Sequence, residues 1–295
     1  MKEWVFYSIY VPRAEYLEKI IVNIVTPAVQ QIKNSVQVHK WFFIRYIDMQ
    51  GPHIRLRFLV DEAEIEAAEE LLEERFSQCL SAVIAEPVPD LSRLLPVKAE
   101  KADFESGFQP EEYEPEYEKY GGLQGVDIAE NIFQSSSELT LLFVNHDYFS
   151  DKDRFDLALL LMKITAEKAS LSEAETRQLW ESMLHYWSGA DYTEGISYKT
   201  KLEEAAKKRV DVINQVMERM AADPRVKELT DSYGQVLEHA FSEIEESEKI
   251  RTPVSHLAFH YIHMMNNRLG VWPIEEAYLG ALLAHTSGYV PEANS

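Results

Sequence analysis

Residues 41–60 read as two β-strands joined by a tight turn, and this hairpin constrains the fold more than any other stretch. An adjacent Gly and Pro in the turn favour a reversal of the chain. Apolar and polar residues alternate in the second strand, and side chains of a strand point alternately to the two faces of a sheet. One face is therefore apolar, and the other carries His53, Arg55 and Arg57.

The two arginines of this strand admit two interpretations. They can lie on a solvated face or pair with acidic neighbours such as Asp48, as most charged strand residues do. Alternatively, they form a platform for an anion, because the planar guanidinium can hold a carboxylate or phosphate through two hydrogen bonds. Periodicity alone leaves both interpretations open.

The segments around the hairpin predict a sheet with two helices. Aromatic and β-branched residues at 4–11 are typical of a strand, and apolar residues at helical spacing indicate helices at 15–34 and 62–82. Pro27 is expected to kink or split the first helix, and residues 95–104 can form a further strand. The order βαββαβ predicts an α+β protein with a ferredoxin-like antiparallel sheet, followed by an all-helical half.

The rest of the chain reads as a connecting segment and then helices. Residues 107–125 are acidic and rich in tyrosine, which indicates an ordered connection, and such loops often carry function. A capping-box pattern at 127–130 predicts the start of a helix that runs to Phe143. Further helices are predicted at 153–168, 179–187, 198–222, 226–247, 254–269 and 274–284. The predicted domains are a ferredoxin-like subdomain at 1–106, the connecting segment at 107–125 and a helical subdomain at 126–295.

The composition limits the classes of function. The 295 residues include 50 acidic and 29 basic ones, a net charge of −21, which argues against direct binding of nucleic acid. The single cysteine, Cys79, allows no disulfide within one chain and fits a reducing compartment. No signal-peptide pattern or apolar run of membrane-spanning length is present. We expect a cytoplasmic protein with no membrane segment.

A helix near the C-terminus carries the second group of candidate residues. His256, His260, His263 and Asn267 are spaced four, three and four apart, which places them on one stripe of the helix. A zinc site is one interpretation, but the catalytic glutamate of the HExxH motif is absent. Hydrogen-bonded core histidines are a second interpretation. The third is a general acid or base, since histidine titrates close to cellular pH.

Three segments resemble one family. WFFIRYIDMQGPHIRLRF resembles the FxRYxDxxxHxRxRF signature of the C-terminal, glutamate-eliminating domain of class I lantibiotic dehydratases. That domain also occurs as free-standing thiopeptide-type bacteriocin biosynthesis proteins. YEPEYEKYGG and SHLAFHYIHMMNNRLG are similar to the family's ExxRYGG-type and HMxxNR-type segments, in the same order. The similarity extends over nearly the whole chain, from residue 4 to about residue 283.

The resemblance implies roles for residues of the first half. Such a domain removes the Cα proton of a glutamylated Ser or Thr and expels glutamate, leaving dehydroalanine or dehydrobutyrine. Arg55 and Arg57 would hold the carboxylates of the glutamate, and Glu116 would contribute to substrate binding. Arg57 or Lys119 would stabilise the enolate that develops in the reaction. Lys119 stands where the family has arginine, so the cation is kept but the bidentate fork is lost.

The same resemblance implies roles in the C-terminal helix. His263 is the candidate base that removes the Cα proton, and Asn267 and Arg268 would bind substrate. The implied reaction needs no cofactor and no metal.

Partners and alternative functions also follow from the resemblance. The substrate would be the leader and core of a precursor peptide, glutamylated by a separate tRNA-dependent protein, and a homodimer is the default state. One alternative is a pyridine-forming [4+2] cycloaddition enzyme of thiopeptide maturation. Another is a non-catalytic partner that binds the precursor peptide. The retention of Arg55, Arg57, Glu116 and His263 favours elimination.

Overall fold

The structure is a computed structural model that describes residues 1–87, 104–146 and 149–286. The chain forms two compact units, Met1–Phe149 and Ser150–Ser295. The predicted division into 1–106, 107–125 and 126–295 stays a prediction.

The first unit contains a four-stranded antiparallel sheet. Its strands are β1 (Lys2–Tyr10), β2 (Val38–Asp48), β3 (Gly51–Asp61) and β4 (Gly107–Pro110), in the spatial order β2-β3-β1-β4. This is the predicted ferredoxin-like order, which confirms the α+β class and the hairpin. The strand predicted at 95–104 lies outside the described residues except for Phe104, which precedes β4 and is not part of a strand.

Helices cover the apolar face of this sheet. A 3₁₀ turn (Ala14–Tyr16) leads into α1 (Leu17–Ile20), a π turn (Ile21–Val25) and α2 (Thr26–Ser35), and a second 3₁₀ turn (Glu62–Glu64) precedes α3 (Ile65–Ala85). The apolar residues of β3 are fully buried beneath them: Ile54, Leu56, Phe58 and Val60. The alternation of β3 is therefore confirmed.

The predicted effect of Pro27 appears as the π turn that ends at Val25, two residues before it. Proline has no N–H, and its ring crowds the carbonyl four residues earlier. The wider π turn accommodates that ring without ending the helical path. Thr26 Oγ1 donates a hydrogen bond of 2.9 Å to the carbonyl of Ile21. The helix is therefore irregular at this point but not divided into separate segments.

Two further helices of the first unit lie beyond β4. They are α4 (Tyr117–Tyr120) and α5 (Gly122–Val144), separated by Gly121 in the left-handed region at φ 85°. The capping box expected at 127–130 is wrong, because Asp127 lies inside α5. Glycine adopts this left-handed conformation without strain. The helix α5 begins directly after Gly121, five residues earlier than predicted.

Side chains of α5 cover the outer edge of β2. The backbone N–H of Trp41 donates to Oε1 of Gln134 at 3.2 Å, and that of Phe43 donates to Oγ of Ser137 at 3.2 Å. The indole Nε1 of Trp41 donates to Glu138 at 3.1 Å. Unpaired edge groups can recruit another strand, so α5 satisfies part of this edge within the chain.

The second unit is helical in the part that the structure describes. Its helices are α6 (Asp151–Lys168), α7 (Glu173–Trp187), α8 (Thr193–Lys207), α9 (Val210–Ala222), α10 (Pro224–Glu246), α11 (Val254–Leu269) and α12 (Pro273–Thr286). Ser172 and Glu175 form a capping box at the start of α7. The prediction of a single helix at 198–222 is wrong, because the chain turns at Arg209. Lys207 lies in the last turn of α8, where a cation stabilises the negative end of the helix dipole.

Within residues 1–87, 104–146 and 149–286, no helix is long and apolar enough to cross a membrane.

Candidate functional site

The register of the sheet places aromatic residues beside the arginines of β3. Arg57 is paired with Phe6 of β1 and with Phe42 of β2. Directly opposed residues of neighbouring strands share a face of the sheet. The polar face of β3 therefore continues into an aromatic surface on both sides.

Arg57 is a buried cation held among aromatic rings. Its side chain is only 5% exposed, and its Cζ lies 4.0 Å from the ring centroid of Phe6, 5.3 Å from Phe42 and 5.0 Å from Tyr113. Burial lowers the pKa of Arg57 to about 10. Among the described residues, Nε of Arg57 has no hydrogen-bond partner. The solvated-face interpretation is therefore wrong for Arg57, and a buried donor stands without an acceptor.

Arg55 is held by a neutral histidine. Nδ1 of His53 lies 3.0 Å from the carbonyl of Gly51, and Nε of Arg55 donates to Nε2 of His53 at 3.1 Å. These partners assign the proton of the ring to Nδ1 and the lone pair to Nε2. Burial is the main cause that lowers the pKa of His53, which is consistent with a neutral ring. Arg55 also stacks on Tyr46, with its Cζ 3.7 Å from the ring centroid.

A buried polar chain holds the third ring of the Arg57 cage. Tyr113 forms a side-chain hydrogen bond with Glu130 of α5, and burial raises the pKa of the Tyr113 phenol. Glu130 is itself buried and accepts from Nζ of Lys40 at 3.1 Å. Burial raises the pKa of the Glu130 carboxyl, and Lys40 opposes that shift. The cage around Arg57 therefore joins β1, β2, α5 and the segment before α4.

Glu116 and Lys119 form an ion pair at α4. Nζ of Lys119 lies 3.0 and 3.2 Å from the two carboxylate oxygens of Glu116. Glu116 is exposed, and its charge acts on the pKa of Arg57, opposing the effect of burial. Arg55 and Glu116 thus both lie close enough to Arg57 to affect its pKa, and Lys119 is paired with Glu116.

His263 on α11 contacts two residues of neighbouring helices. Its Nδ1 lies 3.0 Å from Oε2 of Glu276 on α12, whose side chain is fully buried. Its ring stacks on Trp187 of α7, with centroids 4.2 Å apart and an interplanar angle of 26°. At Gly280 a side chain would come within 3.1 Å of the carbonyl of Trp180, so α12 and α7 pack closely. This packing holds the partners of His263 in place.

The other histidines of α11 do not form a metal site of three or more ligands. Nε2 of His256 lies 3.0 Å from Nε2 of His260. Among the residues the structure describes, no group of three or more His, Cys, Asp or Glu side chains could hold a metal ion. The zinc interpretation therefore has no support from the geometry of this helix.

Asn267 and Arg268 lie in the last turns of α11. Arg268 is fully buried, and its Nη1 donates to the carbonyl of Met264 at 2.8 Å. Asn267 is partly buried. Their role in substrate binding stays a prediction. Arg55, Arg57 and Lys119 lie in the first unit, and His263 lies in the second.

Sequence reasoning missed Glu276, Trp187, Tyr113 and Glu130 as parts of these sites. A signal existed for Glu276, since it and Glu275 are acidic residues in an otherwise apolar helix, and such residues are buried only when they are paired. Glu130 belongs to the predicted capping-box pattern at 127–130, and Tyr113 belongs to the tyrosine-rich segment predicted to be an ordered connection. No local pattern singles out Trp187.

Three solved structures have a fold similar to that of this chain. The structure is similar to lantibiotic dehydratase MibB from Microbispora sp. 107891 (18% identity, TM-score 0.65), covering 96% of this chain and 28% of that one. It is similar to TsrL (14% identity, TM-score 0.64), covering 97% of this chain and 94% of that one. It is also similar to the pyridine synthase TbtD from thiomuracin biosynthesis (16% identity, TM-score 0.68), covering 97% of each chain.

These likenesses establish a shared fold. The chain spans 28% of the length of MibB, so it corresponds to a part of that protein. A comparison with curated proteins finds no match. The sequence matches the family described as "Lantibiotic biosynthesis dehydratase C-term" over residues 4–287. The chain therefore belongs to the lantibiotic biosynthesis dehydratase C-terminal family.

Proposed function

We propose that this protein is a lyase that eliminates glutamate from glutamylated Ser or Thr residues of a precursor peptide. The products are dehydroalanine and dehydrobutyrine in a ribosomally made natural product. The observation that carries the proposal is Arg57, a buried cation whose Nε has no acceptor among the described residues. A glutamyl carboxylate or a developing enolate would supply that acceptor.

The reaction can be written with residues of this chain. Nε2 of His263 takes the proton from Cα, and negative charge develops on the adjoining carbonyl as an enolate. The enolate then expels the glutamyl carboxylate: the bond from Cβ to the ester oxygen breaks, and the Cα–Cβ double bond forms. Glutamate leaves with the electron pair of the broken bond, and the abstracted proton is on His263 until it exchanges with solvent.

The burial of Arg57 suits such a step. A cation in a site of low dielectric stabilises developing charge more strongly than one in water. Arg55, stacked on Tyr46 and held by His53, would grip the departing glutamate. Lys119 places a second cation beside Glu116 and is the other candidate for stabilising the enolate. Asn267 and Arg268 would bind the peptide next to His263.

The proposed substrate requires a partner. A separate tRNA-dependent protein would glutamylate the core of the precursor peptide, whose leader would direct binding. Support comes from MibB, which is described as a tRNA dependent lantibiotic dehydratase and of which this chain spans 28%. The net charge of −21 argues against direct contact of this chain with the tRNA.

Mass spectrometry of a glutamylated precursor peptide tests the proposal. The expected result is the loss of glutamate and the appearance of dehydro residues, with no change in peptide incubated without protein. An unchanged glutamylated peptide would contradict elimination. A His263→Ala variant should bind the peptide but leave it glutamylated.

A second candidate is pyridine formation by [4+2] cycloaddition. It is favoured by the comparison with the pyridine synthase TbtD, which covers 97% of each chain. The same assay separates the two reactions if a peptide with preformed dehydroalanines is included. Reaction of that peptide alone supports cycloaddition. Peptide binding without any reaction supports a non-catalytic binding partner.

A further inference from the structure

The carboxylate beside His263 has a specific geometry. Glu276 is fully buried on α12, and its Oε2 lies 3.0 Å from Nδ1 of His263. Its other oxygen, Oε1, is buried and has no hydrogen-bond partner in the part of the chain that the structure describes. A carboxylate taken out of water is unfavourable unless it is paired. His263 is thus the partner that compensates the burial of Glu276.

This contact determines where the proton of His263 resides. An ionised carboxylate only accepts hydrogen bonds, so Nδ1 must be the protonated nitrogen of the neutral ring. Nε2 then carries the lone pair. Trp187 stacks on one face of the ring at 4.2 Å and limits its rotation. The tautomer and the orientation of the ring are therefore both determined by neighbouring helices.

We propose that Glu276 is a positioning residue that makes Nε2 of His263 the base. Glu276 keeps the neutral ring in the Nδ1–H tautomer before the reaction. When Nε2 takes the Cα proton, the carboxylate stabilises the imidazolium that forms, as the buried Asp does in the Ser-His-Asp triad. The inference rests on the proposed function for its catalytic consequence, but the tautomer is a property of the unliganded protein.

Nitrogen-15 NMR of protein labelled at histidine tests the tautomer directly. In the wild-type protein at a pH where His263 is neutral, we expect the proton on Nδ1. In Glu276→Gln, whose amide can donate to Nδ1, we expect a shift towards the Nε2–H tautomer. A wild-type ring with its proton on Nε2 would overturn the inference, and so would an unchanged tautomer in Glu276→Gln.

Kinetics give the second readout. The elimination rate of Glu276→Gln should fall by about 10²–10⁴-fold, the range seen when a histidine base loses its orienting carboxylate or its general-base function. Glu276→Asp keeps the charge and should recover part of the rate. An unchanged rate in Glu276→Gln would overturn the catalytic role.

The neighbouring Glu275 offers a matched control. It is equally buried, and its carboxylate accepts from the backbone N–H of Trp272 at 2.9 Å. Glu275→Gln keeps an acceptor there and should preserve the tautomer of His263.

If the wild-type protein shows no elimination at all, the proposed function fails while the NMR result still decides the role of Glu276. If Glu276→Gln does not fold, the wild-type tautomer and Glu276→Asp carry the test.

Discussion

At the scale of single residues, Arg57 differs most from what its type suggests. Arginine is rarely buried without a carboxylate partner, yet Arg57 lies between Phe6 and Tyr113 with a lowered pKa. Aromatic faces attract the guanidinium but offer no acceptor for its N–H groups. In the proposed elimination, an anionic group of the substrate would supply the missing acceptor.

Arg57→Lys should lower the rate of glutamate elimination by about 10²–10³-fold, as expected for the loss of one group that stabilises transition-state charge. Lysine keeps the charge but loses the planar stack on Phe6 and the bidentate fork. Single-turnover release of glutamate, followed by mass spectrometry, measures the effect. The control is Arg75→Lys on α3, where the arginine donates to Gln31 at 3.0 Å. Equal rates in the two variants would contradict the role of Arg57.

His53 predicts a pH dependence of stability. Its pKa is lower in the folded protein than in the unfolded chain, so the unfolded chain binds more protons between the two values. Stability should therefore decrease as the pH falls below about 6.5, with a slope of up to about 1.4 kcal/mol per pH unit, and level off below the folded pKa.

Urea unfolding of the wild type and of His53→Gln between pH 7 and 5 measures this contribution. The variant should show a smaller loss of unfolding free energy over that range, because glutamine does not titrate. Parallel pH profiles for the two proteins would show that His53 is not the group responsible.

At the scale of elements, α5 covers the edge of β2 and also supplies Glu130, which forms a hydrogen bond with Tyr113 of the cage around Arg57. The strands β1, β2 and β3 were predictable because alternation and turn residues are local features. The position of α5 was not, since it depends on contacts between residues more than 90 positions apart, such as Ser137 with Phe43. The same holds for the turn at Arg209, which no helix-breaking residue signals.

Ser137→Ala should lower the free energy of unfolding by about 1–3 kcal/mol, because the buried N–H of Phe43 loses its acceptor. Ser136→Ala is the matched control. Ser136 is equally buried, but its hydroxyl donates only to the carbonyls of Ile132 and Phe133 within its own helix. Chemical denaturation compares the two variants. A larger effect of Ser136→Ala would contradict the edge-covering role of α5.

At the scale of the whole molecule, the proposed elimination uses residues of both compact units, since Arg57 and its aromatic cage lie in the first unit and His263 lies in the second. Arg57→Lys should therefore slow elimination and His263→Ala should abolish it, while each variant folds as the wild-type protein does. Mass spectrometry of the glutamylated peptide, together with chemical denaturation of each variant, measures both effects. Elimination at the wild-type rate in either variant would contradict the proposed use of both units.

The sequence by itself determined the first three strands and the helices that cover them, the apolar and polar faces of β3, and membership of the family through three motifs. These features are local, since each depends on residues close together in the chain. The tertiary structure alone decided that Arg57 is buried in an aromatic cage and that Glu276, thirteen residues after His263, meets its Nδ1. Burial and pairing depend on which elements pack together, so the electrostatic state of a site residue is determined by long-range contacts.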